Sequence, residues 1–254
     1  MKVLSFGCGI NSTAILVLLS QGKVNIDRIV FADTGGEHPE TYDYLHDVAI
    51  PYIYSIKDCY ENRHLQFNIV KSNLGTLYDY YFSNKIIPTR MFRHCTDKFK
   101  VTPIRKFLES MLIDFSDLQI VMGISYEEQH RAHRAKDCAN NEYPLIDMKI
   151  DREGCINLIK DAGLPLPRKS GCYFCPFTPK KGWLDLLKNH RDLYLKAEEL
   201  EKNCRRYPEI TLTNHPLEKI RLNKDLQKSL CSFFDEGSCP FCEISGDIAR
   251  GKVE

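Results

Sequence analysis

The stretch MKVLSFGCGINSTAILVLLS, residues 1–20, decides the fold. Val3–Phe6 is a short apolar run that ends in Gly7-Cys8-Gly9, and Ser12-Thr13 leads into the apolar run Ala14–Leu19. That order predicts a buried strand, a tight glycine turn and a helix capped by Ser or Thr. Because the helix is apolar on nearly every side, it belongs inside the protein against a sheet. Outward from there, Asp27–Ala32 predicts a second strand ending at Asp33-Thr34-Gly35-Gly36, and Pro39 sits in the first turn of a helix through Asp47. Pro51–Ile56 predicts a third strand. A β-α-β-α-β order implies parallel strands joined by right-handed crossovers, the α/β layered class.

Further along, residues 58–90 are polar and Tyr-rich without clean periodicity. Pro103–Met111 predicts a helix and Leu118–Met122 a strand running into Gly123-Ile124-Ser125. Asp151–Ala162 predicts an amphipathic helix stopped by Gly163 and Pro165. Leu164–Lys169 is a stiff connector to Cys172, and Lys181–Arg206 predicts one long helix with Trp183, Leu186, Leu187, Leu193 and Leu200 mostly on one side. The expected division is a nucleotide-binding domain over 1–165 and a helical, cysteine-bearing region over 166–254.

With 254 residues, 35 Lys plus Arg against 34 Asp plus Glu, and 43% hydrophobic residues, the chain has the balance of a soluble globular protein and can bury a core without disulfides. No apolar run reaches a membrane span, and Gly, Cys, Asn and Ser interrupt the N-terminal stretch, which disfavours a signal peptide. Eleven cysteines, an odd number without an export signal, point to reduced thiols in a cytoplasmic protein, some of them metal or cluster ligands.

A glycine turn between strand and helix is a natural anion site: the backbone can approach a phosphate, N–H groups point inward and the helix dipole adds positive potential. The turn lacks the Gly-Lys-Ser/Thr ending of a Walker A loop and the spacing of the dinucleotide fingerprint. On the turn alone, phosphate binding and a merely sharp turn are equally good readings.

The wider sequence carries a resemblance. SFGCGINSTA resembles the PP-loop of the adenine-nucleotide α-hydrolase superfamily, whose usual form is Ser-Gly-Gly-x-Asp-Ser. FADTGGEHPETYDYL (31–45) and RHCTDKFKVTPIRKFL (93–108) resemble blocks of the phosphoadenosine phosphosulfate (PAPS) reductase family. GISYEEQHRA (123–132) is similar to that family's Gly-Ile-x-x-x-Glu-x-x-Arg block. The likeness runs over about residues 1–205. It implies a Rossmann-like, mostly parallel five-stranded sheet with the nucleotide at the C-terminal ends of the first strands.

By that resemblance, Ser5, Gly7, Cys8, Gly9, Asn11, Ser12 and Thr13 would hold the phosphates of ATP, and Phe31, Asp33 and Thr34 would lie near adenine and ribose. Arg93, Lys100 and Arg131 would neutralise charge on the breaking anhydride. Glu37 and Glu128 would hold Mg2+ or orient an Arg; for each charged residue a solvated or structural ion pair is the competing reading. Gly7, Cys8 and Asn11 depart from the usual Ser, Gly and Asp. The reductases' Glu-Cys-Gly-x-His motif does not occur here, which disfavours PAPS reduction.

Cys172 and Cys175 (KSGCYFCPF) and Cys239 and Cys242 (GSCPFCE) form two Cys-x-x-Cys pairs, a strong metal signal because two such thiolates can chelate one ion from a single turn. The competing reading is a pair of buried or redox dithiols. The four together would make a structural Zn2+ site. Alternatively, Cys95 matches a cluster cysteine of the iron–sulfur adenylylsulfate (APS) reductases, although Thr96 stands where they carry a second Cys. Cys95, Cys172, Cys175 and Cys242, or Cys239 in its place, would then bind a 4Fe–4S cluster. The cluster is the favoured reading and zinc the alternative.

Arg90, Arg93, His94, Lys98, Lys100, Arg105 and Lys106 form one basic segment, and His130, Arg131, His133, Arg134 and Lys136 another. They suit either a triphosphate funnel or a groove for tRNA or DNA. The expected activity is ATP pyrophosphatase-type adenylation for sulfur transfer, resembling the DNA phosphorothioation sulfurtransferase. A cysteine desulfurase would be the donor, a homo-oligomer the assembly, and no membrane the partner. A PAPS or APS reductase and a non-catalytic nucleotide-binding module are the alternatives.

Overall fold

The computed structural model describes residues 1–59, 65–91, 94–111, 117–134, 140–206, 208–213 and 215–223. Two units divide the chain: the first from Met1–Thr76 and His94–Gly171, the second from the described residues of Leu77–Arg93 and Cys172–Glu254.

The first unit is built on five parallel strands, β1 (Lys2–Phe6), β2 (Arg28–Asp33), β3 (Gln66–Lys71), β4 (Gln119–Met122) and β5 (Asn140–Glu142), in the order β3-β2-β1-β4-β5. The register Phe6↔Phe31↔Ile69 aligns the ends of β1, β2 and β3. Alternation along the strands feeds two cores. Leu4, Phe6, Ile29 and Phe31 face one cluster, into which the helices α1 (Ile10–Ser20), α3 (Ile50–Cys59) and α8 (Arg152–Asp161) pack. Val3, Val30, Ala32 and Val70 face the other, closed by Ile104 and Leu108 of α6 (Thr102–Ser110). This is a doubly wound α/β fold. Its strand order reverses between β1 and β4, where ligands of such folds bind.

Helix α1 is buried along Ser12–Leu19, as its all-round apolarity requires. It begins earlier than expected, at Ile10, with Gly9 as the cap. Ser12 lies inside the first turn and bonds back, its Oγ accepting from Gly9 N–H at 3.2 Å and donating to Gly9 O at 3.1 Å.

The expected third strand at Pro51–Ile56 is instead helix. α2 (Pro39–Tyr44) passes through a wide turn at Leu45–Ala49 into α3. Ala49, Ile53 and Ile56 are buried while Pro51, Tyr54 and Ser55 are exposed, a helical spacing of four and three. Pro51 directly follows the wide turn, where Ile50 N–H bonds back five residues to Leu45 O and the looser winding accommodates a residue without an N–H. The true third strand, QFNIVK, is an edge strand with only Val70 buried, so its sequence carries little apolar signal.

The basic segment after Arg93 enters α5 (His94–Thr96), a wide turn at Asp97–Val101 and then α6. β4 leads through Gly123 into the tight helical turns of Tyr126–Arg134. α7 (Pro144–Asp147) precedes α8, which is capped by the Asp151 carboxylate accepting from Gly154 N–H at 2.8 Å and ends at Gly163 with φ of 71°.

In the second unit the single long helix expected over 181–206 is broken. α9 (Lys180–Asn189) and α10 (Arg191–Asn203) meet at His190, whose φ of −137° and ψ of 62° cannot continue a helix. α4 (Leu77–Ser83) brings Tyr78 onto Tyr173 and Phe174, with ring centroids 6.4 and 6.1 Å apart, so these aromatics serve packing. α11 (Leu217–Leu222) is tied to α10 by Arg221, which grips Glu198 at 2.7 and 3.0 Å. Half-buried Glu201 accepts the amides of Leu212 and Leu217, each at 2.7 Å. Among the described residues no helix is long and apolar enough to cross a membrane.

Candidate functional site

The turn between β1 and α1 lies at the reversal point of the sheet. Ser5 is the next-to-last residue of β1, level with Val30 and Met122. Cys8 holds φ of 54°, a left-handed conformation that L side chains adopt at a cost of about 1 kcal/mol or more. Its side chain is buried and its thiol donates to Thr41 O at 3.5 Å. Burial, with Glu37 nearby, pushes that thiol up to about 12, so it is neither a thiolate nor a nucleophile at neutral pH.

Past Gly9, the amides of Ile10, Asn11 and Ser12 have no partner within the helix, since the first α1 bond runs from Thr13 N–H to Gly9 O at 2.9 Å. No acid lies in this first turn, which leaves the positive end of the helix dipole unneutralised. A Cβ on Gly7 would meet nothing within 4 Å, so the turn is open on that side. One on Gly9 would come 2.7 Å from Ser170 Oγ, which shows that the connector before Cys172 runs along the turn.

Asn11 joins the turn to the far side of the reversal point. Its Nδ2 reaches Gly123 O at 3.4 Å, Ser125 Oγ at 3.3 Å and Glu128 Oε2 at 3.5 Å, while its Oδ1 is buried without a partner among the described residues. Glu128 Oε1 accepts from Arg131 at 2.7 Å.

A second pair stands at the end of β2. Glu37 is buried, and its Oε1 accepts from Thr34 Oγ1 at 3.4 Å and from Lys100 at 3.0 Å. Glu37 Oε2 is buried without a partner among the described residues. Asp33 terminates β2: its carboxylate accepts from Gly35 N–H at 2.8 Å and Tyr42 O–H at 2.7 Å, with Lys71 at 3.2 Å. Burial pushes the Asp33 carboxyl up, but the Tyr42 hydroxyl, the Gly35 amide and Lys71 together hold it below the usual carboxylate range. Phe31 is packed in the core.

The structure thus brings together Gly7, Cys8, Gly9, Asn11, Ser12, Glu128 and Arg131 as one group, and Thr34, Glu37 and Lys100 as another. Thr13, beside the first group, is buried within α1. Arg93 lies outside the described residues.

Sequence reasoning missed Gly123, where a Cβ would lie 2.9 Å from Ser12 N. The connector expected over Leu164–Lys169 is present, but its contacts were not foreseen: Arg168 pairs with Glu40 at 2.8 Å and Pro165 O accepts from Tyr44 O–H at 2.9 Å. Its two prolines were the available signal, since they fix an extended path.

Cys172 and Cys175 lie on a turn closed by Cys175 N–H to Cys172 O at 3.1 Å and are partly exposed, as is Cys95. One turn carrying both thiols fits a chelating pair. Among the described residues no three His, Cys, Asp or Glu side chains converge on a metal site, and Cys239 and Cys242 lie outside them.

Comparison with solved structures finds a crystal structure of phosphoadenylyl-sulfate (PAPS) reductase from Candida auris, a phosphate complex. It is 15% identical with a TM-score of 0.43, over 65% of this chain and 74% of that one. No curated protein matches. The model of the phosphoadenosine phosphosulfate reductase domain matches residues 1–137, more than half of the chain. That span takes in β1 to β4, the glycine turn, Glu37, Lys100 and Glu128, and by it the chain belongs to the PAPS reductase-like family of the adenine-nucleotide α-hydrolase superfamily.

Proposed function

We propose that the protein is an ATP pyrophosphatase-type enzyme that adenylates its substrate for sulfur transfer. ATP enters with Mg2+ as its substrate complex, its phosphates on the amides of Ile10–Ser12. An oxygen of the acceptor attacks the α-phosphorus, the bond from that phosphorus to the α,β-bridging oxygen breaks and pyrophosphate leaves. A sulfur nucleophile then displaces AMP from the activated acceptor. Lys100, held by Glu37, and Arg131, held by Glu128, offset the charge that grows on the departing pyrophosphate. The orphaned Glu37 Oε2 is a suitable oxygen donor toward Mg2+.

The observation that carries this reading is the open, amide-lined start of α1, without an acid, at the reversal point of a parallel sheet. A tRNA or DNA acceptor and a cysteine desulfurase as sulfur donor are part of the proposal. Incubation with α-labelled ATP and candidate acceptors tests it: AMP and pyrophosphate in equal amounts are expected, and steady ADP and phosphate would overturn it.

Cys172 and Cys175 would supply two thiolates to a 4Fe–4S cluster, with Cys95 and Cys242 or Cys239 as the remaining ligands; zinc on the two Cys-x-x-Cys pairs is the alternative. A cluster would relay sulfur or brace the C-terminal segment. The iron-to-zinc ratio of protein purified without oxygen separates the two.

The family match also supports a second reading, sulfite formation from PAPS or APS. That chemistry needs a reactive thiol, and burial pushes both Cys8 and Cys155 up to about 12. Cys231, Cys239 or Cys242 would have to serve. Sulfite release from PAPS or APS with a thiol donor would favour this reading over adenylation.

A further inference from the structure

The connector Leu164–Lys169 lays Ser170 along the glycine turn. Pro165 O accepts from the Tyr44 hydroxyl at 2.9 Å and Arg168 pairs with Glu40 at 2.8 Å, so two ties on α2 fix the path of the chain just before Ser170. A Cβ on Gly9 would lie 2.7 Å from Ser170 Oγ. The hydroxyl therefore stands within about 4 Å of the Gly9 Cα, an approach that only the missing side chain at position 9 permits.

The hydroxyls at the start of α1 are already committed. Ser12 Oγ accepts from Gly9 N–H and donates to Gly9 O, and Thr13 is 1% exposed inside the helix. Cys8 directs its thiol to Thr41 O. Ser170, by contrast, is half-buried and its hydroxyl makes no hydrogen bond among the described residues. It adjoins the first-turn amides of Ile10 and Asn11, which have no helical partner, in a turn without an acid. An O–H donor thus stands beside orphan N–H donors with no acceptor for any of them. A phosphoryl group supplies several acceptor oxygens at once.

We infer that Ser170 is a phosphate-binding residue of the nucleotide site, its hydroxyl donating to a phosphoryl oxygen held on the α1 amides. The inference rests on the nucleotide reading of the glycine turn and adds to it a contact from the connector, beyond the family match over residues 1–137. Where Ser12 and Thr13 spend their hydroxyls within the helix, the connector brings one from outside it.

Calorimetric titration of the full chain with ATP and Mg2+, parent against Ser170→Ala and Ser170→Asp, tests it. Ser170→Ala should weaken ATP binding about tenfold, as for one lost hydrogen bond to a charged group, with an unaltered melting temperature. Ser170→Asp places a carboxylate where the phosphate belongs, and like charges should weaken ATP binding about a hundredfold or more. The same variant should raise the melting temperature of the nucleotide-free protein by roughly 1–4 °C, because it supplies the acid that the α1 N-terminus lacks. A serine that merely braced the connector would give losses of both binding and stability, and that result in both variants overturns the inference. Ser170→Ala binding ATP as tightly as the parent also overturns it and leaves the nucleotide site standing. A parent that binds no ATP overturns both. ATP binding that depends on Ser170, without release of AMP and pyrophosphate, supports the inference and counts against adenylation alone.

Discussion

Asn11 Nδ2 lies 3.5 Å from Glu128 Oε2, so the first turn of α1 is tied across the sheet's reversal point to the residue that holds Arg131 at 2.7 Å. An Asp at position 11 could not donate to Glu128; the amide can. Glu128→Gln should loosen both Asn11 and Arg131. The ion pair is 44% and 36% exposed, so solvent screens it and its loss should cost under about 1 kcal/mol in stability. Turnover of ATP should nevertheless fall about tenfold, as expected for one lost electrostatic contact in the transition state. An unchanged rate would remove Arg131 from the mechanism.

Gly123 is where β4 passes the start of α1. A methyl there would lie 2.9 Å from Ser12 N and 3.1 Å from Asn11 C, both backbone atoms that move only with the helix. Gly123→Ala should cost about 1–3 kcal/mol, the usual range for overpacking. It should also displace the amides at the turn and weaken nucleotide binding. Gly9→Ala is the control: its methyl meets the tip of Ser170, which can rotate away, so the cost should stay near 1 kcal/mol or below. Thermal melts and nucleotide titration of both variants check the ranking.

Lys100 reaches Glu37 with its own side chain 39% exposed, while that of Glu37 is only 2% exposed. Burying a carboxylate is costly, so Glu37→Gln should change stability little or even raise it. Lys100 would lose its anchor. The expected outcome is a melting temperature within a few degrees of the parent and ATP turnover lower by about tenfold or more. A fall in stability with full activity would make the pair purely structural.

The Cys8 thiol should be inert. In folded, metal-free protein at about pH 8, an alkylating reagent should spare Cys8 and Cys155, whose thiols stay protonated, and label the partly exposed Cys95, Cys172 and Cys175. Peptide mapping by mass reads this directly. Because Cys8 holds a left-handed backbone, Cys8→Gly should be tolerated, whereas the β-branched Cys8→Val should cost about 1–3 kcal/mol.

The parallel core was legible because β1, α1 and β2 are apolar on whole faces, and only burial on both sides explains such runs. α3 was misread because Pro51 and four apolar or aromatic neighbours look like a strand until Ala49 is included in the spacing. The edge strand β3 carries almost no burial and hence almost no pattern. Within the site, residues inside contiguous blocks could be named from sequence. The Asn11–Glu128 and Gly123–Ser12 contacts could not, because each joins segments more than a hundred residues apart whose meeting depends on strand order.

Asp33 sets an acid limit on the same corner of the fold. Its folded carboxyl titrates below the unfolded value of about 3.9 because Tyr42, Gly35 and Lys71 favour the charged form over the penalty of burial. A depressed folded pKa means that the unfolded chain binds the proton more readily. The stabilisation is therefore complete above about pH 4 and is lost as pH falls through the folded value. Asp33→Asn should lower stability at neutral pH, with Lys71 left 73% exposed and easily solvated, so most of the loss comes from Tyr42 and Gly35. The variant should also lose part of the parent's decline below about pH 4. Denaturant midpoints across that range check the sign, and parallel curves for parent and variant would show that Asp33 does not carry the acid response.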